Sequence, residues 1–223
     1  MNKIIPSLAK SKLFFNVDTP IIEKVLPSLK GCIKHIGSGQ IFLHEGDVLD
    51  SLGVLLQGEL CSIKIFEDGS QTIMQKLQAT HAVGADIICT KQKTSPCSLV
   101  ATEDCDIYLF DYQCILQPGI INEQLRLKML YNLLELLSHE NMRKHYKIEI
   151  LSRKSLRDRI LTYLAIQKHK HKSPAFTIPF NREQLAEYLC VNRSALSHEL
   201  SLMKEDGLLT FSKNDFTLSD KIK

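Results

Sequence analysis

The stretch Asn181-Arg-Glu-Gln-Leu-Ala-Glu-Tyr-Leu-Cys-Val-Asn-Arg-Ser-Ala-Leu-Ser-His-Glu-Leu-Ser-Leu-Met203 decides how this chain is read. Asn181 is placed to cap a first helix of about seven residues, since its side chain accepts from the orphan N–H groups of a first turn. Leu185, Ala186 and Leu189 fall on the inner face of that helix, and Ala186 is small, as a close helix crossing demands. Cys190-Val191-Asn192 reads as a turn. Asn192 is expected to cap a second helix, with Ala195, Leu196, Leu200 and Met203 pointing inward at helical spacing. Arg193, Ser194, Ser197, His198 and Ser201 are left outward. Short polar side chains with one Arg and one His let such a helix lie deep in a major groove and reach base edges.

After Gly207, the run LLTFSKNDFTL reads as two short strands around Lys213-Asn214-Asp215, a wing. A helical hairpin followed by a wing is far more specific than a helix pair alone. On the other side, Ser155-Leu-Arg-Asp158 opens a helix like a capping box, with Asp where Glu or Gln is usual. Ile160, Leu161, Leu164 and Ala165 follow at helical spacing, and Lys168-His-Lys-His-Lys172 forms a basic loop. Residues 152–223 carry 13 Lys/Arg against 8 Asp/Glu, whereas residues 1–151 carry 15 against 17. Such asymmetry is expected when only the C-terminal part meets nucleic acid.

From about 120 to 150 the chain has no Pro or Gly and is rich in Leu, Glu, Lys and Asn. Leu127, Leu130, Leu134, Leu137, Ile148 and Leu151 share one heptad track, with Asn141 and Lys144 as its polar members. A helix of roughly 25–30 residues is about 40 Å long, which suits a two-stranded seam between copies better than one compact domain. A lone Asn on such a track fixes register and oligomer state.

Residues 31–115 read as short strands: IFL (41–43), LGVLLQGELCSIKIF (52–66), QTIMQKL (71–77), SLVAT (98–102) and CDIYLF (105–110). They are cut at Gly37/Gly39, Glu45-Gly46-Asp47, Gly58, Asp68-Gly69 and Gly84. Short strands at near-regular spacing suggest a sandwich or jelly roll. Before them, Asp18-Thr19-Pro20 starts a short helix over 19–29.

Apolar residues at 44% and charged residues at 24% are those of an ordinary globular protein. There is no apolar run of 18 residues and no secretory signal, so no membrane association and a cytoplasmic location are expected. The seven Cys include no C-x-x-C pair and read as reduced thiols. Cys89, Cys97 and Cys105, eight residues apart, define no ligand set and are expected to be small fillers at alternate strand positions, so no metal and no cofactor are assigned. A metal-holding jelly-roll enzyme would need an H-x-H set with further ligands, and the roll offers only His44-Glu45 and His81. Without a nucleophile motif or phosphate loop, a binding protein rather than an enzyme is expected.

Together these features make the chain resemble the cyclic-AMP receptor / fumarate-and-nitrate regulator (Crp/Fnr-type) family of bacterial transcription factors over roughly residues 14–218. The likeness rests on Gly39-Gln40, Glu45-Gly46-Asp47, Gly58-Glu59, Gly84, the long helix, NREQLAEYL…NRSALSHEL, GLL and the wing. It implies an α+β fold: a jelly-roll sensor of the cyclic-nucleotide-binding kind over 1–117, a dimerisation helix over 118–151 and a winged helix-turn-helix over 152–223. It also implies a homodimer on an inverted-repeat operator in double-stranded DNA, in contact with RNA polymerase, with Arg182 on a phosphate and Asn192, Arg193, Ser194, Ser197 and His198 at the DNA. Two departures stand out: Cys190 where the turn usually has Gly, and His198 where Arg is common. In the sensor, Gly84 is followed by Ala85 rather than Glu, and Ser95-Pro96 replaces the Arg-Ser or Arg-Thr that grips a cyclic nucleotide. Cys32 is the only Cys among the first sixty residues, unlike iron–sulfur members. An unidentified small-molecule effector or none, a thiol switch, and haem on His81 or Cys89 remain open.

Overall fold

The computed structural model describes residues 4–219. The chain divides into two compact units, Met1–Ser70 with Met74–Asn141, and Gln71–Ile73 with Met142–Lys223.

Eight described strands build the roll: β1 (Cys32–Ile36), β2 (Ile41–Leu43), β3 (Leu52–Gln57), β4 (Glu59–Ile65), β5 (Gln71–Gln78), β6 (Ala82–Val83), β7 (Ser98–Ala101) and β8 (Cys105–Phe110). They form two four-stranded sheets, in the orders β1-β8-β3-β6 and β2-β7-β4-β5. Apolar side chains turned inward from both sheets fill the space between them, with Leu55, Leu60, Val83 and Ile107 fully buried. Gly58, at φ 82, divides the apolar run 52–66 into two strands. A Cβ there would stand 2.3 Å from the Asp104 carbonyl oxygen, so only Gly fits.

Helices α1 (Ile5–Lys10) and α2 (Thr19–Leu29) precede the roll, joined through a 3-10 turn at Lys12–Phe14. Asp18 holds the N-cap position of α2 in an extended conformation, and Pro20 fits its first turn. Two short helices, α3 (Ala85–Ile88) and α4 (Gln113–Leu116), lead to α5 (Glu123–Leu151), 29 residues long. Asn122 caps α5 by accepting from the N–H groups of Gln124 (3.0 Å) and Leu125 (3.3 Å). Leu125, Met129 and Leu133 of α5 pack on Leu13, Phe14, Leu29 and Phe110. Asn132, 1% exposed, donates to the carbonyls of Leu13 (2.9 Å) and Phe15 (3.0 Å), tying the 3-10 turn to the long helix.

In the second unit follow α6 (Leu156–His171), β9 (Ala175–Thr177), α7 (Arg182–Tyr188), α8 (Arg193–Glu205), β10 (Leu209–Ser212) and β11 (Asp215–Leu218). Ser155 caps α6 by accepting from the Asp158 N–H at 3.0 Å. The wing has a third strand that the sequence did not suggest: β9 joins the hairpin in a sheet of order β10-β11-β9. Leu185, Leu189, Leu196, Leu200, Met203 and Phe216 form its core. Beside them Phe180 and Tyr188 stack with centroids 4.8 Å apart, and Tyr163 meets both rings at a tilt.

Candidate nucleic-acid interface and sensor pocket

The local sequence sets the helix pair. Asn181 makes a full capping box: its side chain accepts from the Gln184 N–H at 2.9 Å, while the Gln184 side chain accepts from the Asn181 N–H at 3.0 Å. The chain then turns through Cys190, whose φ of 57 is left-handed. The turn geometry that Gly would take freely is thus kept by a side-chain-bearing residue, at a cost of about 1–2 kcal/mol.

Helix α8 buries Leu196, Leu200 and Met203 and leaves Asn192, Arg193, Ser194, His198 and Ser201 exposed, with Ser197 half-buried. Two expectations are corrected. Ala195 is exposed rather than inward, because it lies one residue, about 100°, off the Leu196–Leu200–Met203 track. Asn192 occupies the N-cap position, but its side chain makes no cap hydrogen bond and stays exposed. The outward face opposite the core is formed by Ser194, His198 and Ser201, flanked on one side by Arg193 and Ser197. The Ser201 hydroxyl is engaged, donating to the Ser197 carbonyl at 3.1 Å.

Two arginines hold this helix and its wing. Arg157 of α6 bonds Glu199 and Asp206 at 2.6 Å each, bridging α6 to both ends of the outer half of α8. Arg182, half-buried, lies over the rings of Phe211 (4.9 Å) and Phe216 (5.6 Å), and its guanidinium donates to the Lys213 carbonyl at 3.3 Å. Burial holds its pKa below that of a free guanidinium. The structure therefore places Arg182 against the wing as well as at the start of α7.

In the first unit, a cavity of about 170 Å³ opens inside the roll, lined by Gly84, Ala85, Ser95, Pro96 and Cys97 among others. Gly84 starts α3 at φ 85, and a Cβ there would meet Leu49 at 2.3 Å. The groups at the expected anchor positions are occupied with one another. Ser95, 3% exposed, donates to the Cys97 carbonyl at 2.6 Å, and Ser62 and Cys97 lie 2.9 Å apart. Pro96 has no N–H to donate. Asp86 and Glu140 line the cavity, with Lys12, His81 and His139. Two carboxylates and a volume below the ~300 Å³ of ordinary ligand sites make a poor cradle for a cyclic phosphodiester.

The cysteine expectation is only partly met. Cys105 is a buried strand residue, but Cys89 follows α3 and is exposed, and Cys97 sits in a loop. Although the residue as a whole is exposed, partial desolvation of its sulfur, then the Asp86 charge, pushes the Cys89 thiol up, away from ready thiolate formation. Among the described residues no group of three His, Cys, Asp or Glu could hold a metal ion. No described helix is long and apolar enough to cross a membrane.

Residues 33–117 match the model of the cyclic nucleotide-binding domain, and residues 158–221 that of the Crp-like helix-turn-helix domain. The potassium channel SKOR of Arabidopsis thaliana is 29% identical over 145 residues, covering 59% of this chain and 17% of the channel. The chain thus spans under a fifth of the length of this curated relative. Among solved structures, the c-di-GMP responsive global regulator CLP of Xanthomonas campestris superposes with a TM-score of 0.69 at 18% identity, covering 90% of this chain and 99% of that one. FixK2 from Bradyrhizobium japonicum gives 0.63 at 16% identity, covering 86% and 93%. At these identities the likeness is one of fold.

Proposed function

The chain belongs to the Crp/Fnr family of transcription regulators, and from that premise we propose that it is a cytoplasmic, dimeric, sequence-specific DNA-binding regulator that acts by binding rather than catalysis. The observation that carries this reading is the capped α7–α8 pair with an open polar face on α8 and a wing beside it. In this reading residues 1–117 sense, 118–151 pair and 152–223 bind DNA. Ser194 and His198 address base edges. Arg193, at about 140° from His198 on the helix, serves an edge base or a phosphate. Ser197 flanks them, and the uncommitted Asn192 side chain meets the backbone at the start of α8. Arg182 contacts a phosphate while bracing the wing.

The dimer is proposed to form along α5. Leu127, Leu134 and Ile148 are 51%, 58% and 66% exposed on a helix whose other face is buried, and such a row is costly in water unless a partner covers it. A two-fold dimer predicts an inverted repeat with half-sites about 34 Å apart. RNA polymerase is the expected further partner. The roll's cavity is proposed not to take cyclic AMP or cyclic GMP, because Ala85 and Ser95-Pro96 supply neither charged anchor. In-vitro selection of bound DNA tests the whole reading. An enriched inverted repeat supports it, and selected DNA without one overturns it.

A further inference from the structure

The first unit has a second concavity, outside the roll. A groove of about 550 Å³ runs between α2 and the start of α5. Its floor is apolar: Ile21 and Val25 from α2, Ile121 before α5 and Leu125 within it. Ile21 is 44% exposed there, and the adjoining Ile120 40%. Among the described residues the only charged side chains lining it are Lys24 and Lys128, and no carboxylate does. Among the described residues neither lysine makes an ion pair. Lys128 instead rests 5.9 Å from the centroid of the Tyr131 ring, and Tyr131 is 63% exposed on α5.

We propose that this groove is a binding site for a small amphiphilic anion, an acyl carboxylate whose tail covers the apolar floor and whose head pairs with Lys24 and Lys128. The size falls within the ~300–1,000 Å³ of small-molecule sites, which the roll's cavity does not reach. An apolar floor asks for an apolar body, and two unpaired cations with no acid beside them ask for negative charge. A volume of about 550 Å³ matches a small molecule better than an extended acidic peptide. The head group also competes with Tyr131 for Lys128. Because Tyr131 stands beside the exposed Leu127 and Leu134, the ligand reaches the proposed seam. That last consequence rests on the regulator reading, whereas the binding itself does not.

Calorimetry on the full chain with decanoate tests the site, with decanol as the same tail without charge and acetate as the charge without tail. Decanoate is expected to bind once per chain, more tightly than either control. The double change Lys24→Gln with Lys128→Gln should weaken decanoate at least about tenfold, ~1.4 kcal/mol, and leave decanol unchanged. If that variant is misfolded, Lys24→Arg with Lys128→Arg should retain binding, and Ile21→Asp, at an exposed position, should abolish it. No heat with decanoate, equal binding of decanol, or unchanged affinity in the charge-neutral variant overturns the proposal. So does protection of Lys24 from acetylation in the ligand-free dimer, which would assign the groove to a second copy. Decanoate binding without an inverted-repeat operator overturns the regulator reading alone, and the converse overturns the groove alone.

Discussion

Replacing Arg182 with Ala separates the phosphate contact proposed for it from the brace it makes on the wing. The guanidinium covers two phenylalanine rings at 4.9 and 5.6 Å and donates to the Lys213 carbonyl at 3.3 Å. A cation over an aromatic face contributes about 0.5–1 kcal/mol at a partly exposed site. A long hydrogen bond at the surface adds ~0.5–1 kcal/mol, the lower part of the usual range. Arg182→Ala should therefore cost about 2 kcal/mol of stability in the second unit before any DNA is present. For a unit of that size, melting on its own transition, this is a fall in Tm of ~8 °C or more. Differential scanning calorimetry of the DNA-free protein measures it. Binding to random and selected DNA should weaken alike, with the salt slope flatter by about one unit. Arg182→Lys should recover part of the salt slope but little of the Tm, since an ammonium cannot lie flat across two rings. A Tm within ~2 °C of the parent in Arg182→Ala would refute the bracing role and leave a phosphate contact alone.

Three further outcomes follow from buried or exposed groups. The Tyr163 hydroxyl is buried without a hydrogen-bond partner, so Tyr163→Phe should stabilise the protein by about 1 kcal/mol in urea titration; a loss of stability would show that the hydroxyl is satisfied. Burial pushes Tyr108 and Cys114 up to about 12 from 10.0 and 9.0, so both stay neutral in the native state while the unfolded chain ionises. Stability should then be complete below pH 9 and fall as pH rises towards 12, seen as a declining urea midpoint; a flat profile over that window would contradict it. Replacing Leu134 and Leu137 together with Glu should give a monomeric mass by light scattering at micromolar concentration, and an unchanged dimer would remove α5 as the seam.

How much the sequence revealed depends on where the determinants lie. Helix caps and apolar tracks are local, so Asn181, Ser155, α5 and the strands over 52–66, 71–77, 98–102 and 105–110 were legible from a few neighbouring residues, whereas the two-residue β6 (Ala82–Val83) was not. Strand β9 was not: Ala175–Thr177 is three residues long and becomes a strand only by pairing with β11, which lies 38 residues further along. Strand β1 was hidden for the same reason, since four of its five residues are exposed and its partner is β8. Ala195 was misplaced because an Ala beside a Leu fits an inner face by polarity while its angle on the helix decides otherwise. The contact of Arg182 with the wing was illegible too. Its rings come from Phe211 and Phe216, whose approach is set by the wing hairpin. Cys190 shows the reverse case. A departure from Gly put the turn's geometry in question, yet Cys190 keeps the left-handed conformation all the same.

These contacts also bear on how a signal could act. The polar face of α8 proposed to meet DNA is held from inside by the capping box at Asn181, the Arg157 pairs to Glu199 and Asp206, and the Arg182 brace on the wing. Packed interiors do not deform continuously, so a ligand in the first unit has little to gain by reshaping α8. The long helix offers a softer target. Its exposed track carries Leu127, Leu134 and Ile148, but Asn141 and Lys144 interrupt it, and the boundary between the units falls beside them, between Asn141 and Met142. On a seam of the proposed kind, polar entries specify register at a cost in stability, and pairing there is expected to be finely balanced. A change of ~1–3 kcal/mol, the usual size of coupling between sites, is enough to shift a balanced pairing and far too small to rebuild a packed helix pair. If two copies pair along α5 as proposed, control is best placed in that association, with the polar face of α8 left as its own unit sets it.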